Sequence, residues 1–118
     1  MYQSGYDANS RFDNISVVLQ VGDLNDSNMQ QLGNDNNSKV TQLGNENQSQ
    51  ISQTMHENIS ELEQVGNLNQ SAVNQLGNRN NSLINQATLS NISDVSQNGY
   101  VHRSVVLQNG TRNNSEVI

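Results

Sequence analysis

The residues with chemical potential in this chain are few and regularly placed. Serine recurs at Ser16, Ser27, Ser38, Ser49, Ser60, Ser71, Ser82, Ser93, Ser104 and Ser115, one every eleven residues. A serine nucleophile needs a base within hydrogen-bond reach, held in turn by a third group. No base recurs at a fixed offset from these serines, and the only histidines, His56 and His102, stand apart. No Asp/Glu/His set has metal-ligand spacing, and the absence of cysteine removes thiolate sites and disulfides. Calcium-binding β-rolls need Gly-Gly-x-Gly-x-Asp units, and here both the period and the Asp are wrong. The many Asn-x-Ser triplets match a glycosylation acceptor, but they follow from the repeat, and both residues fall on one face. The sequence predicts no enzyme, no metal and no cofactor.

What places these residues is an eleven-residue repeat. Gln opens each unit at Gln20, Gln31, Gln42, Gln53, Gln64, Gln75, Gln86, Gln97 and Gln108. Counting that Gln as position 0, Gly stands at position 2 as Gly22, Gly33, Gly44, Gly66, Gly77, Gly99 and Gly110, replaced only by Met55 and Thr88. Asn stands at position 5 as Asn14, Asn25, Asn36, Asn47, Asn58, Asn69, Asn80, Asn91 and Asn113, with His102 the exception. Ser is position 7 without exception. Position 9 is always aliphatic: Val18, Met29, Val40, Ile51, Leu62, Val73, Ile84, Val95, Val106 and Val117.

Positions 5, 7, 9 and 11 are two apart, which is strand spacing with one face held constant. An eleven-residue period also marks right-handed helical coiled coils. A helix would instead bury a stripe at three-and-four spacing, and Gly and Asn are poor helix residues. Each unit is therefore predicted to be a strand over positions 5 to 11 followed by a Gln-x-Gly-x-x-Asn turn, with positive φ at Gly and tolerated at Asn. Two units close one coil of 22 residues. Residues 14–118 then make an all-β solenoid of five stacked strand-turn-strand coils, two parallel in-register cross-β sheets, after an irregular segment 1–13. Residue i sits above i+22, so identical Gln and Asn amides can bond along columns at the strand spacing of about 4.8 Å.

Composition narrows the function classes. The chain has 118 residues, 31% hydrophobic and 3% aromatic, with net charge −6 and no proline. Polarity comes from Asn, Gln and Ser, and Gln/Asn-rich chains without proline are prone to β-assembly. An acidic balance argues against nucleic-acid binding, which needs a basic footprint. No apolar run of about 18 residues exists to span a membrane. No secretory apolar segment follows Met1, so an exported protein is expected here in its mature form with an added start residue.

The phrase Asn-x-Ser-x-aliphatic-x-Gln-x-Gly-x-x-Asn resembles the curlin repeat of bacterial curli subunits, which often carries Ala where this chain has Ser. The resemblance covers residues 14–118. It implies an extracellular functional amyloid fibre at the cell surface, serving biofilm matrix and adhesion. It also implies homopolymeric assembly, with a second curli subunit and the curli secretion machinery as further partners. Ser4-Gly5-Tyr6-Asp7-Ala8-Asn9-Ser10 is similar to the start of the mature curli nucleator subunit, and the Gly-rich leader of the major subunit is absent. The nucleator tends to be more basic, with a last repeat that departs from the pattern; here the chain is acidic and unit nine departs only moderately, at His102. Fibre body and nucleator therefore both stay open. A monomeric solenoid binding module, such as an ice-binding protein, is the alternative class. It would need a flat and regular outward array, whereas here the regular face points inward.

The ends carry a further signal. Ser16-Val17-Val18-Leu19-Gln20 is repeated as Ser104-Val105-Val106-Leu107-Gln108. Only these two strands have apolar residues at both outward positions 8 and 10. Val17, Leu19, Val105 and Leu107 are predicted to meet between molecules stacked head to tail, a heterologous contact that never closes. The apolar residues after each Gln (Val21, Leu32, Leu43, Val65 and Leu76) are expected to form a stripe along one corner.

Overall fold

Strict alternation of inward and outward residues turns the repeat into strands, and the turn between units sends each strand to the opposite sheet. The computed structural model describes residues 2–4 and 13–118. Its strands are β1 (Tyr2–Ser4), β2 (Ile15–Val21), β3 (Asp26–Asn34), β4 (Asn37–Leu43), β5 (Gln48–His56), β6 (Ile59–Asn67), β7 (Gln70–Asn78), β8 (Asn81–Leu89), β9 (Ile92–Tyr100), β10 (Arg103–Thr111) and β11 (Asn114–Val117). They form two parallel sheets, β1-β3-β5-β7-β9-β11 and β10-β8-β6-β4-β2. From β2 onward each residue pairs with the one 22 positions away, as in Gln42 with Gln64 and Val73 with Val95. The fold is the expected all-β solenoid of about five turns.

The core is the aliphatic column pair. Met29, Val40, Ile51, Leu62, Val73, Ile84, Val95 and Val106 are buried in one cluster, with Val117 packed against it. The shortest principal extent of the molecule is 13 Å, which fits two sheets separated by one interdigitated layer of side chains.

The structure corrects the expected strand bounds. β3 and β5 to β10 each run nine residues, continuing past Gln and Gly to position 3 of the next unit. The connection shrinks to positions 4 and 5, and even there the ladder continues, as in Leu68 N donating to Asn45 O at 3.0 Å. Glycine thus sits at a bend inside the ladder. At Gly44 φ is +117°, and an added Cβ would fall 2.0 Å from the Gly66 carbonyl oxygen. Both the backbone angle and the stacking therefore demand glycine. The left-handed residue of the turn is not Asn at position 5 but position 4, with φ of 56° at Glu57, 58° at Leu68 and 59° at Arg79.

Two further expectations change. Segment 1–13 is not irregular throughout, because β1 adds a strand parallel to β3, with Gln3 opposite Gln31. Residues 5–10, which carry the likeness to a nucleator start, lie outside the described residues. The apolar stripe is two stripes: Val21, Leu43 and Val65 stack in the five-stranded sheet, whereas Leu32 and Leu76 lie on strands of the other.

Candidate functional site

Among the described residues, the candidate site consists of the inward amide columns and the two ends where they stop. Each Gln of the columns uses its amide in a fixed way. Gln42 Nε2 donates to Gln64 Oε1 at 2.9 Å, and Gln64 Nε2 donates to Gln86 Oε1 at 2.9 Å. Gln20 to Gln42 and Gln86 to Gln108 complete one column. Gln31, Gln53, Gln75 and Gln97 form the other, with links of 2.8, 2.9 and 2.8 Å. The donor always points toward the later residue, so both columns are polar in the same sense. The second Nε2 proton crosses to the opposite sheet: Gln64 donates to Gln48 O and Gln75 to Ile59 O, each at 2.9 Å. A buried amide used this way meets the requirement that interior polar groups be paired.

The Asn column does more than tolerate a turn. Asn58 Oδ1 accepts from Asn80 N at 3.1 Å, while its Nδ2 donates to Gly77 O at 2.8 Å. Asn47, Asn36 and Asn69 repeat the arrangement one unit away or more. The side chain thus supplies the inter-coil bonds at the point where the backbone reverses. A second set of asparagines at position 3 was not singled out from the sequence. Asn45 Oδ1 accepts from Asp23 N and Asn67 Oδ1 from Asn45 N, each at 2.9 Å. Its sequence signal was Asn at 34, 45, 67 and 78.

The serines behave differently. Ser27, Ser49, Ser60, Ser71, Ser82, Ser93, Ser104 and Ser115 have buried Oγ atoms with no hydrogen-bond partner. Ser38 Oγ lies 3.2 Å from Met29 Sδ. Their value to the fold is small volume between the sheets.

None of the titratable groups of residues 13–118 is buried. His56 and His102 are exposed, and among the described residues no group of three His, Asp or Glu could hold a metal. His102 keeps part of the Asn role, its N donating to Asn80 Oδ1 at 3.1 Å. Arg79 bridges Glu57 at 2.7 Å and donates to Tyr100 Oη at 2.9 Å. The Arg79 hydrogen bond holds the Glu57 carboxyl below the usual carboxylate range, and the same bond raises Arg79. Lys39 pairs with Glu61 at 3.0 Å.

The two ends are unlike. β2 and β10 are the edge strands of their sheet, so Val17, Leu19, Val105 and Leu107 lie at opposite ends of the stack, all exposed on the outer face. At the β2 end the inner face is open too: Val18 is 39% exposed and Gln20 is exposed. At the β10 end Val106 is only 5% exposed. The core positions Val18 and Gln20 are therefore inward in direction but uncovered.

These features define a parallel two-sheet β-solenoid with polar interior columns. No family model matches the chain, and neither a curated protein nor a solved structure matches it. No helix among the described residues is long and apolar enough to cross a membrane.

Proposed function

We propose that the chain is a structural subunit of an extracellular curli-like amyloid fibre, growing head to tail through its edge strands. The observation that carries this reading is the uncovered β2 end. An aliphatic core residue, Val18, is left 39% exposed there, on a strand that ends its sheet among the described residues. The opposite edge strand, β10, has the same Ser-Val-Val-Leu-Gln sequence. Unprotected edges of this kind template pairing with another chain. Stacking β10 of one subunit under β2 of the next covers Val18 with Val106 and sets Val105 beside Val17 and Leu107 beside Leu19. The contact is heterologous and repeats without closing. Column polarity supports the same direction, because Gln108 donors face Gln20 acceptors.

Purified protein is expected to form filaments in negative-stain microscopy with a thioflavin-type dye response. Val105→Lys combined with Leu107→Glu is expected to slow elongation, because it sets two charges into an apolar contact. A chain that stays a β-rich monomer for days at high concentration would sink this reading. The nucleator role is favoured by the sequence of residues 4–10. It predicts that substoichiometric amounts seed a partner subunit, which the fibre-body role does not require.

A further inference from the structure

The two outer faces of the solenoid are chemically opposite. On the five-stranded sheet the outward residues of β2 are all apolar: Ile15, Val17, Leu19 and Val21 are each between 51% and 54% exposed. The same rows carry Leu43, Ile59, Val65 and Leu83 through the middle of the sheet, none of them buried. The polar residues among them are already paired within the face. Lys39 Nζ bridges Glu61 at 3.0 Å, and Asn85 Nδ2 donates to Glu63 at 2.7 Å. The charges of Lys39 and Arg103 cancel those of Glu61 and Glu63. An exposed apolar patch of this extent marks a contact surface.

The outer face of the six-stranded sheet has the other composition. β5 and β7 present Gln48, Gln50, Ser52, Gln70 and Asn74 outward, and β3 and β9 add the carboxylates Asp26 and Asp94. No Lys or Arg stands at an outward position of these four strands. Covering this face would strip water from carboxamides and from carboxylates that have no cation beside them, which is costly. Covering the apolar face removes hydrocarbon from water, and its polar residues keep the bonds they have. Its size is also sufficient. Five strands at about 4.8 Å make about 24 Å, and positions 6 to 12 span about 20 Å along the strands. Two such faces together cover roughly 1,000 Å², the level that a specific contact needs.

We propose that the outer face of the five-stranded sheet docks on the same face of a second copy of this chain, pairing two solenoids side by side. This goes beyond head-to-tail growth, which joins molecules along the stack and leaves the face uncovered. Sheets packed in this way lie about 10 Å apart, with the side chains of the two facing surfaces interdigitating. A contact that uses one patch on both partners is self-complementary and closes at two. Along a growing stack the apolar rows run on from one subunit to the next, so the lateral contact strengthens with length. The six-stranded sheets stay outermost, where Gln48, Gln70, Asp26 and Asp94 keep their water.

Residues in the middle of the sheet, away from the β10–β2 contact, test this. Ile59→Asn lies between Asn37 and Asn81, and Leu83→Lys lies beside Glu61, so each suits the column it enters. Ala72→Lys, beside Asp94 on the amide face, is the control. A single stack of 13.0 kDa subunits, each rising about 24 Å, has half the mass per length of a pair, which dark-field microscopy of unstained filaments measures. Wild type and Ala72→Lys are expected at the paired value. Ile59→Asn with Leu83→Lys is expected at half of it, with elongation from seeds unchanged; should that double variant make no filaments, Leu83→Lys alone is read in the same way. Wild-type filaments at the single-stack value overturn the lateral pair and leave the fibre reading intact, as does a variant that stays paired. Halving by Ala72→Lys gives the contact to the amide face and overturns the proposal. Single-stack filaments that bind vesicles of uncharged phosphatidylcholine, and lose this binding in the double variant, give the apolar face to a lipid surface instead. If no filaments form, the fibre reading falls and sedimentation of the dissolved chain decides the pair. A wild-type dimer with a monomeric double variant upholds it, and any other pattern overturns it.

Discussion

The amide columns and the serine columns are both polar, both buried and both repeated every eleven residues, yet one is saturated with hydrogen bonds and the other is nearly empty of them. Gln64 makes three column and cross-sheet bonds at 2.9 Å. Ser60, four residues earlier, has a buried hydroxyl with no partner. The difference is geometric. Copies repeat at about 4.8 Å, and a hydrogen bond needs about 2.9 Å. A carboxamide carries its donor and acceptor about 2 Å apart, which bridges the shortfall. A single hydroxyl oxygen repeated at the strand spacing stays out of reach of its own copy. Interior polarity in this fold is therefore cheap for long amides and costly for short hydroxyls.

That contrast can be broken most strongly at the centre of a Gln column. Gln64→Leu leaves Gln86 Oε1 without its donor, removes the amide donor of Gln48 O and takes an acceptor from Gln42. At about 1–3 kcal/mol for each unpaired group, it is expected to destabilise the fold by about 3–6 kcal/mol, read as a fall in denaturant midpoint. Asn58→Ala comes next. It leaves Asn80 N and Gly77 O without their partners, a loss of about 2–4 kcal/mol that should appear as faster amide exchange at Asn80. Ser60→Ala moves the other way. It keeps the small volume, deletes an unpaired buried hydroxyl and is expected to stabilise by about 1 kcal/mol; a lower midpoint would mean that the hydroxyl has a role not visible in its contacts.

The smallest effect lies outside the sheets. Arg79 lowers the pKa of Glu57 through its hydrogen bond. A lowered folded-state pKa contributes stability above the ordinary carboxylate value and loses it as the pH falls through the folded one. Arg79→Ala is expected to raise the Glu57 pKa toward 4.5 in an NMR titration. Its effect on the denaturant midpoint should be slight, because exposed pairs contribute little.

Much of this architecture was legible because residue type tracks position. Gln, Ser and the aliphatic residue recur two apart, so the inward face and the columns could be written down from spacing. The placement of Val17 and Leu19 against Val105 and Leu107 at opposite ends also followed from counting. Other features carried no such signal. Leu68, Arg79 and Glu57 share a left-handed backbone but no chemistry, because the tight reversal between nine-residue strands imposes that conformation on whatever occupies position 4. The bonds from Asn58 and Asn47 to backbone carbonyls depend on where the next coil lies. β1 stands outside the repeat, and Gln3 is 28 residues from its partner Gln31 instead of 22.

By itself, then, the sequence determined which residues face inward and which copies stack, since an eleven-residue period combined with two-residue alternation admits one register. Only the tertiary structure decided where the ladder bends, which end lies open at Val18, and that β1 pairs with β3. Those features arise from closure of the stack and from what each terminal coil lacks as a neighbour, and local residue preference holds no information about either.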